Sequence, residues 1–237
     1  ADYKILARVL ANRYAHAMQG AIGREQTAFL PGREIGDNIA FTQLLAAALD
    51  AEDVPAGLVS LDIEQGYDSV DREALYAIMQ AKGADDGMIR WVRTLLDDAR
   101  ATARVSGWVS RPRRWEAGVR QGCPLSPLLY LFVAEALACW LRQSDRVGVQ
   151  VQGVRHVSAQ HADDTKVVLS SLDADLVDHL MDHVATFTAA TGQRVNANKS
   201  CAIPLGALQL DAPNQTTAVP VSDTIVCLGI AVAPVPT

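Results

Sequence analysis

The stretch "SAQHADDTKVVLSS", Ser158 to Ser171, sets two consecutive aspartates, Asp163 and Asp164, in a run of apolar and small residues. Neighbouring side chains of a strand point to opposite faces, so two adjacent carboxylates can approach one site only where the chain turns. The stretch predicts a hairpin with acids at its tip, Asp163 being the direct ligand candidate and Asp164 its neighbour. A second segment, "LVSLDI" (58–63), alternates: Val59, Leu61 and Ile63 face one way, Leu58, Ser60 and Asp62 the other. It reads as a strand with one acid at its end.

If folding brings Asp62 to the hairpin tip, carboxylates about 4 Å apart repel by roughly 4 kcal/mol at an effective dielectric of 20. Bound cations reverse that sign. Magnesium prefers hard oxygen ligands and binds through one or two carboxylates plus substrate phosphates. Two such ions form a clamp for phosphoryl transfer. The plainer reading is an acidic β-turn and a surface aspartate, and the residues alone leave both open.

The rest of the chain alternates helices with strands. Ile5, Leu6, Val9 and Leu10 share one face of an opening helix within 2–19, and "FLPGREIGDN" (29–38) reads as a loop. Residues 39–50 are helical and "DVPAG" (53–57) breaks the chain. Asp71 is a good N-cap for a helix over 72–82 and Gly83 a good stop. Met88, Trp91, Val92, Leu95 and Leu96 follow the spacing of a second helix, and "TARVSGWV" (102–109) suggests strands. "PLSPLLYLFVAEALACWLR" (124–142) is a long apolar helix with Pro127 in its first turn. Residues 147–154 and 157–170 read as strands. Asp173 caps a helix that buries Val177, Leu180, Met181, Val184 and Phe187 and ends at Gly192. The tail from Val195 mixes short strands and loops. This order predicts an α+β fold compatible with a split βαβ sheet.

Composition narrows the functional classes. With 49% hydrophobic and 20% charged residues in 237, the chain is globular and able to bury a sizeable core. No apolar run reaches the length of a membrane span, and the N-terminus lacks a signal-peptide plan, so no membrane partner is expected. Its two ends read as those of a piece of a longer protein. Cys123, Cys139, Cys201 and Cys227 form neither a CxxC nor a metal-spaced set, which fits a reducing compartment. The net charge of −6 argues against nucleic-acid binding in bulk, yet Arg100, Arg104, Arg111, Arg113, Arg114 and Arg120 meet a single acid, Glu116, between 100 and 120. That run is either a solvated face or a phosphate-tracking patch.

Five motifs occur in order: "LDIEQGYDSVD" (61–71), "GVRQGCPLSPLLYLF" (118–132), "HADD" (161–164), "TGQRVNANKS" (191–200) and "CLGI" (227–230). Together with "DYKILARVLANR" (2–13) and "EQTAFLPGREIGDNI" (25–39), they resemble the reverse transcriptase domain of non-LTR (LINE-type) retrotransposons. The resemblance covers nearly the whole chain. It implies an RNA-directed DNA polymerase that transfers a nucleotide from a dNTP to the 3′-OH of a DNA primer on an RNA template. Two magnesium ions, with manganese as a substitute, would be held by Asp62, Asp163, Asp164 and the carbonyl of Ile63. Tyr67 matches the aromatic gate that rejects a 2′-hydroxyl. Gln121 and Gly122 match the element that lies against template and nucleotide. Lys199 matches a lysine that assists pyrophosphate departure, and Arg33 lies where fingers residues approach the triphosphate.

The implied fold is a right-hand polymerase palm: a ferredoxin-like split βαβ sheet with helices on one face, part of the fingers, and no thumb. Residues 1–57 would be partial fingers and 58–237 palm, with 72–117 next to the fingers. Arg104, Arg111, Arg113, Arg114 and Arg120 then become nucleic-acid contacts. An isolated chain of this extent is expected to be weak or inactive, within an intracellular setting, nuclear or a cytoplasmic ribonucleoprotein. Two departures stand out: His161 replaces an aromatic residue, commonly tyrosine, and "QGYD" (65–68) replaces a "KAFD"-like run. Two alternatives stay open, a decayed nucleic-acid-binding remnant and a group II intron-type maturase.

Overall fold

A computed structural model describes residues 2–210 and 216–233. It opens with helix α1 (Asp2–Ala17), a 3₁₀ turn (Met18–Gly20) and α2 (Ile35–Ala51), then strand β1 (Ala56–Leu61). Short α3 (Gly66–Ser69), α4 (Arg72–Ala81) and α5 (Asp86–Leu96) follow, then four two-residue strands, β2 (Arg100–Ala101), β3 (Arg104–Val105), β4 (Trp108–Val109) and β5 (Arg113–Arg114). Helix α6 (Ser126–Gln143) precedes β6 (Val149–Val151), β7 (Val154–His156), β8 (Ser158–His161) and β9 (Asp164–Leu169). The chain continues through α7 (Ala174–Thr191), β10 (Cys201–Leu205), β11 (Ile225–Cys227) and β12 (Ile230–Val232).

Four strands form one antiparallel sheet in the order β10, β1, β9, β8. Strands β1 and β8 therefore run the same way with β9 between them, and β9 and β10 run together with β1 between them. These are two interleaved βαβ units, crossing over through α4–α6 and through α7. The register pairs Leu61 with Thr165 and Ser60 with Cys201, leaving Asp62 at the open end of the central strand.

The central strands are apolar on both faces, and both are covered. Val59, Leu61, Val167 and Leu169 join the larger core with α6 and α7, including Leu129, Leu137, Val177 and Leu180. Leu58, Val168, Ile203 and Leu205 pack against Leu45, Ala46 and Leu49 of α2. This corrects the expectation of helices on one face alone: a strand with apolar side chains in both directions must be covered twice.

Two helix faces also differ from the sequence reading. In α1 the buried residues are Ala7, Leu10 and Ala11, while Ile5 and Val9 are exposed. Alanines allow α1 to lie close to the core, which a larger side chain on that face would prevent. In α5, Met88, Val92 and Leu96 are buried and Trp91 faces solvent. No helix among the described residues is long and apolar enough to cross a membrane.

The caps follow the sequence closely. Asp71 Oδ1 accepts from the Ala74 amide at 2.8 Å, and Asp173 Oδ1 accepts from the Leu176 amide at 2.9 Å. Gly192 ends α7 in the left-handed region at φ 75°. The Ser171 hydroxyl also donates to Asp173, and this bond, with that from the Leu176 amide, holds the carboxyl below its ordinary pKa. A depressed acid contributes stability that is full above its unfolded pKa, about 4, and is lost as pH falls through the lower folded value. Asp173→Ala is therefore expected to cost about 1 kcal/mol at neutral pH. In urea unfolding the gap should narrow as pH falls below about 4; a constant gap across that fall would contradict the assignment.

Candidate active site

The acids of the "HADD" run sit where the sequence puts them, at a hairpin tip. His161 pairs with Asp164, leaving Ala162 and Asp163 as the two turn residues, and Ala162 has φ 57°. A left-handed alanine costs roughly 1 kcal/mol and persists only if the surroundings fix it. Gln26 does so. Its carboxamide is fully buried, with Oε1 accepting from the Ala162 amide at 2.8 Å and Nε2 donating to the Ala162 carbonyl at 3.1 Å. The backbone on either side of Gln26 continues the grip, because the Gln160 amide donates to the Glu25 carbonyl and the Thr27 amide to the Gln160 carbonyl. His161 belongs to the same contact: its Nδ1 lies 3.0 Å from the Thr27 hydroxyl, and burial lowers its pKa.

Asp62 is braced from the other side. Its amide donates to the Ser200 hydroxyl at 3.1 Å, and its carbonyl accepts from the Asn196 amide at 2.8 Å. Ile63 faces Val195 in an isolated antiparallel bridge whose bonds use the Asp62 carbonyl and the Glu64 amide, not the peptide groups of Ile63 itself. The "TGQRVNANKS" run is thus the support of Asp62. Lys199 is exposed at the end of that turn, one residue before Ser200.

Between these supports lies a small aromatic floor. Tyr67 stacks on Tyr130 with ring centroids 4.6 Å apart. Burial pushes both phenols up, and the carboxylate of Asp163 adds to this, so both rings remain neutral. A Cβ built on Gly66 would lie 3.5 Å from that of Asp163 and only 3.0 Å from the Tyr130 hydroxyl. Gln121 donates to Asp68 Oδ2 at 2.7 Å, which ties the loop before α6 to the residue after Tyr67. Gly122 is exposed at φ 73° with open space where a side chain would stand. A backbone so placed can approach a ligand closely.

Asp164 has a different environment from Asp163. Lys166, two residues along the same strand and fully buried, places its ammonium 3.1 Å from Asp164 Oδ2 and 3.3 Å from Asn38 Oδ1 on α2. The Asn38 amide nitrogen has no hydrogen-bond partner among the described residues. One acid of the three is therefore already compensated. Asp62 and Asp163 have the donor chemistry of a hard divalent cation, with carboxylates at the shared end of adjoining strands. Among the described residues, no three His, Cys, Asp or Glu side chains converge into a ligand set. The residues fit a divalent ion in kind, and the set of three is not drawn together.

Two arginines assigned from the sequence have side-chain partners within the fold. The guanidinium of Arg33 donates to the carbonyls of Gln19, Ile22, Gly23 and Gln26, closing the turn that carries Gln26. It is a loop clip, not a free phosphate ligand, because main-chain carbonyls of a tight turn take its donors first. Arg120 lies over the ring of Tyr3 at 4.5 Å and of Trp115 at 5.7 Å and is half-buried. Arg104, Arg111, Arg113 and Arg114 are exposed.

Comparison with known proteins agrees with this geometry. The family model described as reverse transcriptase (RNA-dependent DNA polymerase) matches residues 1–232. The chain belongs to the reverse transcriptase family. It is 28% identical over 211 residues to the transposon TX1 uncharacterized 149 kDa protein of Xenopus laevis, covering 89% of this chain and 16% of that one. It is 27% identical over 205 residues to the retrovirus-related Pol polyprotein from the type-1 retrotransposable element R2 of Popillia japonica, covering 86% of this chain and 28% of that one. This reverse transcriptase domain thus spans under a third of either relative. In fold it is similar to apo telomerase from Candida tropicalis truncated from its C-terminal domain, with TM-score 0.65, 14% identity and coverage of 98% and 44%.

Sequence reading of this reverse transcriptase domain missed Gln26, Lys166, Tyr130 and Gln193. Only Lys166 carried a signal, a lone cation in the apolar run "TKVVL". Gln193 donates to Tyr130 Oη at 3.3 Å and to the Gly66 carbonyl at 3.4 Å, bonds that only the tertiary fold creates.

Two stability measurements follow from the site. Gln26→Leu strands both peptide groups of Ala162 and is expected to cost about 3 kcal/mol in urea unfolding. Adding Ala162→Gly should return about 1 kcal/mol by relieving the left-handed residue, and no recovery would rule out the clamp. Lys166→Met leaves Asp164 without its cation and should cost about 2 kcal/mol, less than for a fully buried pair because Asp164 is partly exposed. Asp164→Asn in that background should recover part of the loss, whereas strict additivity of the two changes would mean the pair does not interact.

Proposed function

We propose that this domain is an RNA-directed DNA polymerase that extends a DNA primer on an RNA template with deoxynucleotides. The observation that carries the proposal is the placement of Asp62 and the Asp163–Asp164 tip at one end of adjacent central strands in a reverse transcriptase chain. The interleaved sheet and its helices are the palm in this reading, and residues 1–57 contribute part of the fingers. Divalent ions, two magnesium or manganese, would be held by Asp62, Asp163 and the carbonyl of Ile63. Asp164 would join them only on exchanging Lys166 for a metal. When bound, such ions supply charge neutralisation at the attacking and leaving oxygens.

The chain's own residues then divide the remaining tasks. Tyr67, held flat by Tyr130, forms the floor beneath the sugar and leaves no room for a 2′-hydroxyl. Gln121, fixed by Asp68, and Gly122 face the base pair being formed, and Lys199 is exposed on the side where pyrophosphate departs. The setting is an intracellular ribonucleoprotein with the template RNA.

A second reading, a folded nucleic-acid-binding remnant, is favoured by the unassembled ligand set and the Lys166 pairing. Primer extension on an RNA template with magnesium, using the full reading frame, separates the two. The polymerase reading expects Asp62→Asn to lower incorporation by about 10²–10³-fold and Tyr67→Val to admit ribonucleotides. Equal inactivity of the parent and Asp62→Asn, with RNA binding intact, would establish the remnant instead.

A further inference from the structure

Strand β8 is an edge of the four-stranded sheet, and its outer side is only partly covered. Along an antiparallel edge strand, the peptide groups of successive residues point alternately to the partner and away from it. The Val157 carbonyl accepts from the Val168 amide and so faces β9, whereas the Gln160 peptide groups bond to Glu25 and Thr27 on the outer side. Ser158 shares the parity of Gln160, so its N–H and C=O also point outward. The segment around Gln26 meets β8 in an isolated parallel bridge at Gln160 and does not extend to Ser158. Among the described residues nothing bonds to the Ser158 peptide on that side, although Ser158 is only 7% exposed.

A cavity of about 440 Å³ opens at this edge, lined by Ser158 together with Thr27, Asn38, Phe41 and His156. That volume falls among those of small-molecule sites, about 300–1,000 Å³. Phe41 of α2 and His156 of β7 form an aromatic wall, with ring centroids 5.7 Å apart and planes tilted by 47°. Asn38 is 1% exposed. Its Oδ1 lies 3.3 Å from the Lys166 ammonium, which can only donate, so the ends of the carboxamide are fixed and Nδ2 is turned away from Lys166. Nδ2 has no hydrogen-bond partner among the described residues. Native folds seldom leave a buried donor in that state unless something else supplies the acceptor.

The free groups define what fits. Ser158 offers a donor and an acceptor side by side on one residue, and Asn38 offers a second donor. An extended peptide would find a single residue to pair with. On one side Gln160 is taken by Glu25 and Thr27, and on the other His156 pairs with Val149 in the β6–β7 hairpin. A flat ring needs no more than that one residue. A ring N–H next to a ring C=O is complementary to Ser158, a second carbonyl answers Asn38, and a planar face suits the wall of Phe41 and His156.

From these observations we infer that the cavity beside β8 is a binding site for a flat cyclic imide or ureide, a ring in which one N–H stands between two carbonyls. The N–H donates to the Ser158 carbonyl, one ring carbonyl accepts from the Ser158 amide, and the other accepts from Asn38 Nδ2. The site lies at the end of β8 away from the acidic tip and does not rest on the polymerase reading.

Fluorine NMR titration of 6-fluoroquinazoline-2,4-dione with the 237-residue chain tests the site. A Kd of about 0.1–1 mM is expected for a probe of this size. Its 3-methyl derivative, which lacks the central N–H, should bind about tenfold more weakly. Ser158→Pro deletes the outward N–H and leaves the ladder to β9 intact, as an edge strand allows, and should also weaken binding about tenfold. Asn38→Asp keeps an acceptor for Lys166 but removes the second donor, with a similar loss expected. Ser158→Ala should stay within twofold of the parent. No binding to the parent at about 5 mM, or equal affinity for the 3-methyl probe, overturns the site. Both results come from the unaltered chain, so they decide even where a variant folds poorly. Undiminished binding by a folded Ser158→Pro variant overturns it too. Displacement of the probe by N-acetylvaline N-methylamide, at a lower concentration than the unlabelled dione requires, would assign the edge to a peptide strand instead. The titration reads no nucleotide incorporation, so its failure and that of the polymerase reading stay distinct.

Discussion

One side chain holds the tip that carries two of the three acids. The carboxamide of Gln26 satisfies both peptide groups of Ala162, the left-handed residue that turns β8 into β9. Without a partner of this shape the turn would bury an unpaired amide and carbonyl and would also bear the strain of an alanine at positive φ. A carboxamide has one donor end and one acceptor end, so it can close on a peptide as a neighbouring strand would. The direction of Asp163 follows from the turn. The position of Gln26 follows in turn from Arg33, whose guanidinium gathers four carbonyls of the preceding loop. A segment more than a hundred residues upstream thus fixes the geometry of the acidic tip.

Charge is distributed around that tip with similar economy. Two tyrosines beside Asp163 are kept neutral by burial, and burial also disfavours the cationic form of His161. Lys166 answers Asp164, at the cost of burying an ammonium that needs both that carboxylate and Asn38. What remains near the strand ends is the charge of Asp62 and Asp163. A hard cation is the species that would relieve it, and the braces from Ser200 and Asn196 keep Asp62 in place whether or not one is present.

Much of this was legible in the sequence, and the exceptions share a cause. Asp71, Gly83, Asp173 and Gly192 marked helix ends because capping is decided within a few residues. The hairpin tip was legible because adjacent carboxylates cannot share a strand face. Hydropathy groups Ile5 and Val9 with Leu6 and Leu10 on one stripe of α1, whereas packing selects the smaller Ala7 and Ala11 beside Leu10. The charges of Arg33 and Arg120 are visible in the sequence, whereas their carbonyl and aromatic partners are not. Gln26 had no local signal at all, since its partner is 136 residues away. The second face of the sheet was open to reading, since Leu58 and Val168 already implied a cover.

The two departures from the family pattern bear on whether this domain is decaying. Glycine at position 66 gives up a methyl group, and the space that methyl would fill is met by the hydroxyl of Tyr130, which itself bonds to Gln193. Histidine at position 161 gives up a phenol ring and acquires a hydrogen bond to Thr27, within the contact that holds the turn. In each case a residue distant in sequence contacts the changed position. Both positions are thus packed or bonded within the fold, and neither departure removes a support of the acidic tip.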